Sequence, residues 1–456
     1  MARQNASSHA KRFHIVLIPG FGGFDAIGQV EYYAGVTPLF QDWKASRTDV
    51  ELHYFDNFPT AGVVTRASRL RTYLARRIAR GTIAPGDTVT LVGHSTGALD
   101  IRCLIWQLCS ADDNDVLAGP PGPVHVDGGF AVSNQDLLDC IHSVVFLSAP
   151  HWGTNIADWV RSHKVWREAI VCKMRAGVAG SQVFILDWIE EALAGAAACL
   201  TDADALLAVQ DALSEANACE GQRGPIRTAA AQEDASELAL YLRHMASDFH
   251  VIDDLAAKRP PGPVVSPAHF KDEERAKELS LWDKPPSTDR LPIDALSFAT
   301  LGGRAFLFPA GKPAPVWELT NPCTYPDIGQ AAALRGTDIA YRLTYRACAG
   351  GPFDWPKMGG KIDKWLGRGP QPTLELWDND GIVNTGSMLW PRGDNIMVPG
   401  DHLDIVGHYH LVPAEPVGGR TYQAYDTLRS RPRFTKDLFT RIWEEIFNFV
   451  VAPWKA

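Results

Sequence analysis

A strand that runs into Gly93-His94-Ser95-Thr96-Gly97 and then into a helix leaves few folds open. Residues 88–92 (TVTLV) read as a buried strand, and residues 97–109 return to helical periodicity. At such a corner the G-x-S-x-G pattern has a mechanical reason. The serine takes a strained backbone conformation, its neighbours must be small, and its hydroxyl stands clear of the sheet. The helix N-terminus then favours the negative charge that develops when that hydroxyl attacks a carbonyl. The corner needs a sheet behind it. Residues 13–18 (FHIVLI) and 143–148 (SVVFLS) are short apolar runs, and 50–55 (VELHYF) is an alternating strand. A helix is expected over 63–80, with its many arginines on the polar face. Apolar strands alternating with helices imply an α/β fold whose mostly parallel sheet is covered on both faces.

The pattern changes after this first half. From 155 to 290 the chain is helical and alanine-rich, with Pro-rich connectors at 258–263 and 283–292. On 181–200, Ile185, Trp188, Ile189, Ala192, Leu193, Ala196 and Leu200 share one face, which makes an amphipathic helix. It is read either as a mobile lid over a site or as a fixed cap helix. Strands are expected again at 295–301 (ALSFATL) and 373–377 (TLELW), and a closing helix over 434–450. The organisation is therefore a core half at 11–154, a mainly helical cap or lid insertion at 155–290, and a second core half at 291–456.

Composition removes several function classes. With 456 residues and 46% of them hydrophobic, the chain has ample material for a large core. A formal charge of −9 argues against a surface built to hold nucleic acid. The 8 cysteines are scattered, without zinc-site spacing, and read as reduced structural thiols. The most apolar stretch, 183–200, is interrupted by Asp187, Glu190 and Glu191, so no transmembrane segment is expected. The first residues continue directly into a core strand and do not form a signal peptide. The expected location is the cytoplasm, or outside the cell by a route without a cleaved signal.

A serine hydroxyl is a poor nucleophile at neutral pH and needs a base. In this class of fold the acid and then the histidine follow the serine, each on a loop beyond a late strand. Asp380 lies in WDNDGIVNT and His402 in GDHLDIVG. Asp378 and Asp394 are rivals for the acid, and His408 and His410 for the base. The oxyanion of the attacked carbonyl needs two backbone N–H donors. Thr96, after the nucleophile, supplies one. The loop Pro19-Gly20-Phe21-Gly22-Gly23 supplies the other, through Phe21.

Together these stretches resemble the true bacterial lipases of the Pseudomonas/Burkholderia type, with some likeness to the thermophilic Bacillus-type lipases. HIVLIPGFGGFD with VEYYAGVTPLF resembles the oxyanion loop and the segment after it. TVTLVGHSTGALDIR resembles the nucleophile elbow. VVFLSAPHWGTNIADWV resembles the strand ending in A/T-P-H-x-G. LELWDNDGIVNTGSM and GDHLDIVG resemble the acid and histidine loops. The resemblance covers about 11–160 and 370–410 and implies an α/β-hydrolase fold. It places Ser95, Asp380 and His402 on the triad, and Phe21 and Thr96 on the oxyanion donors. It also matches Asp404 to a carboxylate that binds a structural Ca²⁺. The family's second aspartate has no match at its usual place, and Asp354 and Asp363 lie only nearby. Pro19 stands where the family has histidine, and Thr96 and Ala98 depart from the elbow pattern.

The expected activity is hydrolysis of acylglycerols or other long-chain acyl esters, with no cofactor needed for the chemistry. Alternatives on the same residues are a short-chain esterase, a phospholipase effector, a polyester depolymerase, or acyl transfer to an alcohol or amine. The expected partners are a lipid or other ester substrate and a transient lipid interface.

Overall fold

The computed structural model describes residues 11–23, 26, 27, 30–45, 47–109, 117, 122–126, 129–162, 250–258, 266–283, 292–303, 341, 344, 345, 348, 349, 360–410, 412–417, 420–424, 428 and 434–452. Seven strands form one parallel sheet: β1 (Phe13–Ile18), β2 (Val50–Tyr54), β3 (Thr88–His94), β4 (Ile141–Leu147), β5 (Asp294–Leu301), β6 (Lys364–Trp365) and β7 (Asp394–Pro399). Their order is β6-β7-β5-β4-β3-β1-β2, with every neighbouring pair parallel. The described helices are α1 (Val36–Lys44), α2 (Val63–Ala79), α3 (Thr96–Cys109), α4 (Asn134–Cys140), α5 (Asn155–Ser162), α6 (Val251–Leu255), α7 (Asp272–Asp283) and α8 (Lys436–Val451).

Alternation along the strands divides the core into two layers. Val16 and Ile18 of β1 join Leu70 and Leu74 of α2 and Leu99 and Ile105 of α3. Ile15 and Leu17 point the other way, toward Phe40 of α1 and Ile442, Trp443 and Ile446 of α8. A strand buried on both faces must be apolar at successive positions, which is why β1 and β4 are legible as continuous runs. Strand β3, which ends at the G-x-S-x-G corner, has four strands to one side and two to the other, so its C-terminal end lies inside the sheet and not at an edge.

Two sequence expectations need correction. Residues 373–377 are not a strand. Asp378 accepts the Glu375 N–H at 2.8 Å and its own N–H returns to the Glu375 carbonyl at 3.1 Å, so this segment closes a local turn instead of a sheet ladder. The arginines of α2 also do not all face solvent. Arg66 and Arg71 are buried, because Asp100 and Asn134 wait for them inside.

Of the expected insertion, 155–162, 250–258 and 266–283 are described. Its later part packs on α3: Glu278 of α7 forms a buried ion pair with Arg102 at 2.7 Å. Trp282 is fully buried in the same core layer. The helix expected at 181–200 lies outside the described residues. Among the described residues, no helix is long and apolar enough to cross a membrane, and Cys103, Cys109, Cys140 and Cys348 form no disulfide.

Candidate active site

Ser95 stands at the end of β3 with φ at 54°, one of two non-glycine residues at positive φ among those described. An L-residue pays about 1–2 kcal/mol for that conformation. It holds here because its surroundings leave no alternative. A Cβ on Gly93 would lie 2.7 Å from the Ala98 nitrogen and the Gly97 carbonyl. One on Gly97 would lie 2.5 Å from the Ile18 carbonyl. The Ser95 N–H is spent on the Leu147 carbonyl of β4 at 2.8 Å. Both elbow glycines are thus required by close approach of backbone, as the motif implies.

Asp380, between β6 and β7, and His402, just after β7, meet at the ends of the strands. His402 Nδ1 lies 2.8 Å from Asp380 Oδ2, with the aspartate fully buried. The other aspartate oxygen, Oδ1, accepts the Ile382 and Val383 amides at 3.0 and 2.8 Å. Thr300, on β5, donates its hydroxyl to Oδ2 at 2.6 Å. The His402 N–H donates to the Asp380 carbonyl at 3.1 Å, so backbone and side chain fix the same pairing. A carboxylate so held directs the proton on His402 to Nδ1 and leaves Nε2 as the basic nitrogen.

His402 reaches the elbow through His94, the residue before Ser95. The two rings lie 4.6 Å apart between centroids. His94 Nε2 donates to the His402 carbonyl at 2.8 Å, because a carbonyl only accepts. His94 Nδ1 must then accept, and it takes the Tyr32 hydroxyl at 2.6 Å. Tyr32 in turn accepts the Gly20 N–H at 2.9 Å. The chain Gly20–Tyr32–His94–His402 uses each donor once and ties the glycine loop, the elbow and the histidine loop together. Burial drives the His94 imidazole well below its usual range, with the neighbouring His402 adding to the effect, so it stays neutral as this tautomer requires.

The glycine loop is gripped from its other side by Arg66. Its Nη2 donates to the Pro19 carbonyl at 2.8 Å and the Gly20 carbonyl at 3.3 Å. Its Nε lies 3.0 Å from both oxygens of Asp100. Burial pushes the Asp100 carboxyl up to about 6, against the pull of Arg66. The peptides here are trans. With its carbonyl turned to Arg66, the Gly20–Phe21 unit aims the Phe21 N–H to the opposite side. Gly20 itself comes so close to the elbow that an added Cβ would lie 2.6 Å from Ser95 Cβ. Replacing Arg66 with methionine strands a buried carboxylate. The expected loss is about 3–5 kcal/mol of stability, read by urea unfolding, with a fall in kcat at temperatures where the variant is still folded. Unchanged unfolding would refute the role given to this pair.

Of the expected site residues, the structure brings Ser95, Thr96, Asp380 and His402 to one end of the sheet, with Phe21 in the loop beside Gly20. The rivals go elsewhere. Asp378 closes the 375–378 turn, and Asp394 is exposed at the start of β7. His408 bonds to the Tyr32 carbonyl at 3.2 Å, and His410 is exposed with its ring on Tyr409. Asp404 caps its own turn, accepting the Asp401 N–H at 2.8 Å. Asp354 lies outside the described residues, and Asp363 accepts the Asn395 N–H at 3.0 Å. Calcium needs six to eight oxygens. Among the described residues Asp404 belongs to no group of three His, Cys, Asp or Glu side chains within reach of one ion. No sequence pattern marks Tyr32, His94, Arg66 or Thr300, since each acts through partners distant along the chain.

A parallel seven-stranded sheet flanked by helices, with a serine elbow after a central strand, is an α/β-hydrolase fold. No protein-family model matches the chain, and no curated protein does. Among solved structures it is similar to lipase 1 from Pelosinus fermentans, at 14% identity over 96% of this chain and 99% of that one, with a TM-score of 0.40. It is similar to Staphylococcus hyicus lipase at 14% identity, 98% of each chain and a TM-score of 0.44. It is also similar to EstA from Clostridium botulinum at 17% identity, 87% of this chain, 83% of that one and a TM-score of 0.39.

Proposed function

We propose that the chain is a serine carboxylic-ester hydrolase. The observation that carries this reading is the His402–Asp380 pair, held at 2.8 Å beside an elbow whose serine sits at φ 54°. In this reading Ser95 Oγ attacks the ester carbonyl while His402 Nε2 takes its proton. Asp380 holds the imidazole in the required tautomer and balances the imidazolium that forms. The amides of Phe21 and Thr96 receive the oxyanion. When the tetrahedral intermediate collapses, His402 returns the proton to the departing alkoxide and Ser95 keeps the acyl group. Water, deprotonated by the same nitrogen, attacks the acyl-enzyme and releases the carboxylic acid.

Within this class we infer long-chain acyl esters as the preferred substrates. The support is the sequence resemblance to Pseudomonas/Burkholderia-type lipases. The test is a p-nitrophenyl ester series from acetate to palmitate. Rising kcat/KM with chain length is expected. Activity confined to acetate and butyrate would overturn the long-chain reading and leave an esterase. No hydrolysis of any member by a folded chain would overturn the class.

A further inference from the structure

At the opposite ends of the same strands lies a second cluster of chemistry-bearing side chains that the proposed reaction does not use. His14, at the start of β1, pairs in register with Glu51 of β2, and Val16 two residues on pairs with His53. Side chains alternate along a strand, so His14, Glu51 and His53 project from one face of the sheet. His14 and His53 are buried, and the Glu51 side chain is 32% exposed.

Their donor atoms converge. His14 Nδ1 lies 2.9 Å from His53 Nε2. Glu51 Oε2 lies 3.7 Å from the first and 3.8 Å from the second. Ligands on a tetrahedral Zn²⁺, each about 2.0–2.1 Å from the ion, stand roughly 3.3–3.4 Å apart. The three observed spacings bracket that value. A hydrogen bond between the two imidazoles would account for the shortest of them but not for Glu51, whose Oε2 is beyond hydrogen-bond distance of both rings.

The surroundings match a metal-binding histidine. His14 turns its other nitrogen, Nε2, to Asp87 Oδ2 at 3.2 Å. That carboxylate is itself fixed by the Arg12 N–H at 2.9 Å and the Ala84 N–H at 2.8 Å. A carboxylate behind the imidazole fixes the tautomer that frees Nδ1 as a ligand. Arg12 holds the other oxygen of Glu51, Oε1, at 2.8 Å and leaves Oε2 toward the rings. Among the described residues this is the one group of three such side chains within reach of a single ion.

We propose that His14 Nδ1, His53 Nε2 and Glu51 Oε2 form a binding site for a divalent transition ion of the zinc type, with water from the exposed Glu51 side as fourth ligand. Two nitrogens and one carboxylate suit zinc better than calcium or magnesium, which prefer all-oxygen shells. From His14 to Ile18 the strand rises about 13 Å, so the ion would sit at the end of β1 away from Ser95. Its role there is to fasten the edge strand β2 to β1.

The full chain, stripped with EDTA, is titrated with Zn²⁺ and with Co²⁺. The expected result is one tightly held zinc per chain by elemental analysis after gel filtration. A Tm about 3 °C higher with zinc at 100 times its Kd is also expected, together with the absorption bands of tetrahedral Co²⁺. Glu51→Gln and His53→Asn should each lose the tight zinc. Asp87→Asn should weaken it about 10–100-fold. Glu51 is partly exposed, so its variant tests the site without emptying the core. Failure of the wild-type chain to retain zinc would overturn the proposal. So would zinc retained with equal affinity by Glu51→Gln and His53→Asn, each shown folded by circular dichroism. None of these readouts depends on ester hydrolysis, so this site and the proposed reaction stand or fall separately.

Discussion

Ser95→Ala lowers kcat for ester hydrolysis by about 10⁶-fold, to the level set by binding and the oxyanion donors alone. The size follows from the division of labour at the elbow. A buried serine at φ 54° has no structural reason to be there. A glycine would take the same turn without strain. The strain persists because Gly93, Gly97 and Gly20 close in around it, each so near other backbone or side-chain atoms that it cannot carry a side chain. Alanine keeps the Cβ and the backbone angle and removes only the hydroxyl, so the variant should unfold at the wild-type temperature. A fluorophosphonate probe should add to one serine in the wild-type chain and to none in the variant, as read by mass spectrometry. A variant that keeps more than a tenth of the activity would remove Ser95 as the nucleophile.

How much of this was legible in the sequence depended on the range of the contacts. β1, β3 and β4 are buried on both faces, so their apolar runs announce themselves. The elbow is local as well: its glycines, its serine and the start of α3 lie within five residues. Composition alone does not separate β7 from 373–377, since NIMVP and TLELW are both short and mostly apolar. The difference lies in partners, since β7 pairs with β5 from Asp394 to Pro399, whereas Asp378 turns 375–378 on itself. Asp380 therefore lies 15 residues beyond the short strand β6 and is held by Thr300 near the end of β5. The network behind the site is least legible of all. Tyr32 meets His94 across 62 residues, and His94 meets His402 across 308. No periodicity carries that information. Arg66 illustrates the same limit, because on a helical wheel it is one more arginine on a polar face. Only the buried Asp100, 34 residues away, explains why it turns inward.

Asp380→Asn tests the pair that carries the functional reading, and its expected effect is a fall of about 10⁴-fold in kcat with little change in the fold. The reason is a mismatch of donors. All four groups around the aspartate donate to it: the Ile382 and Val383 amides to Oδ1, the Thr300 hydroxyl and His402 Nδ1 to Oδ2. Asparagine offers one oxygen and one NH₂. The two amides cannot change, so the oxygen goes to them and the NH₂ faces Thr300 and His402. The Thr300 hydroxyl can rotate to accept, since Ser148 lies 2.8 Å away to take its proton. His402 can accept only by moving its proton from Nδ1 to Nε2. That occupies the nitrogen that must take the proton from Ser95, so the ring is held in place in the wrong tautomer. The substitution should therefore spare KM and depress kcat. Asp378→Asn is the matched control, because Asp378 serves the 375–378 turn and does not touch His402. Its kcat should stay within a few-fold of wild type. If the two variants lose activity equally, or if Asp380→Asn loses less than tenfold, Asp380 is not the acid of this site.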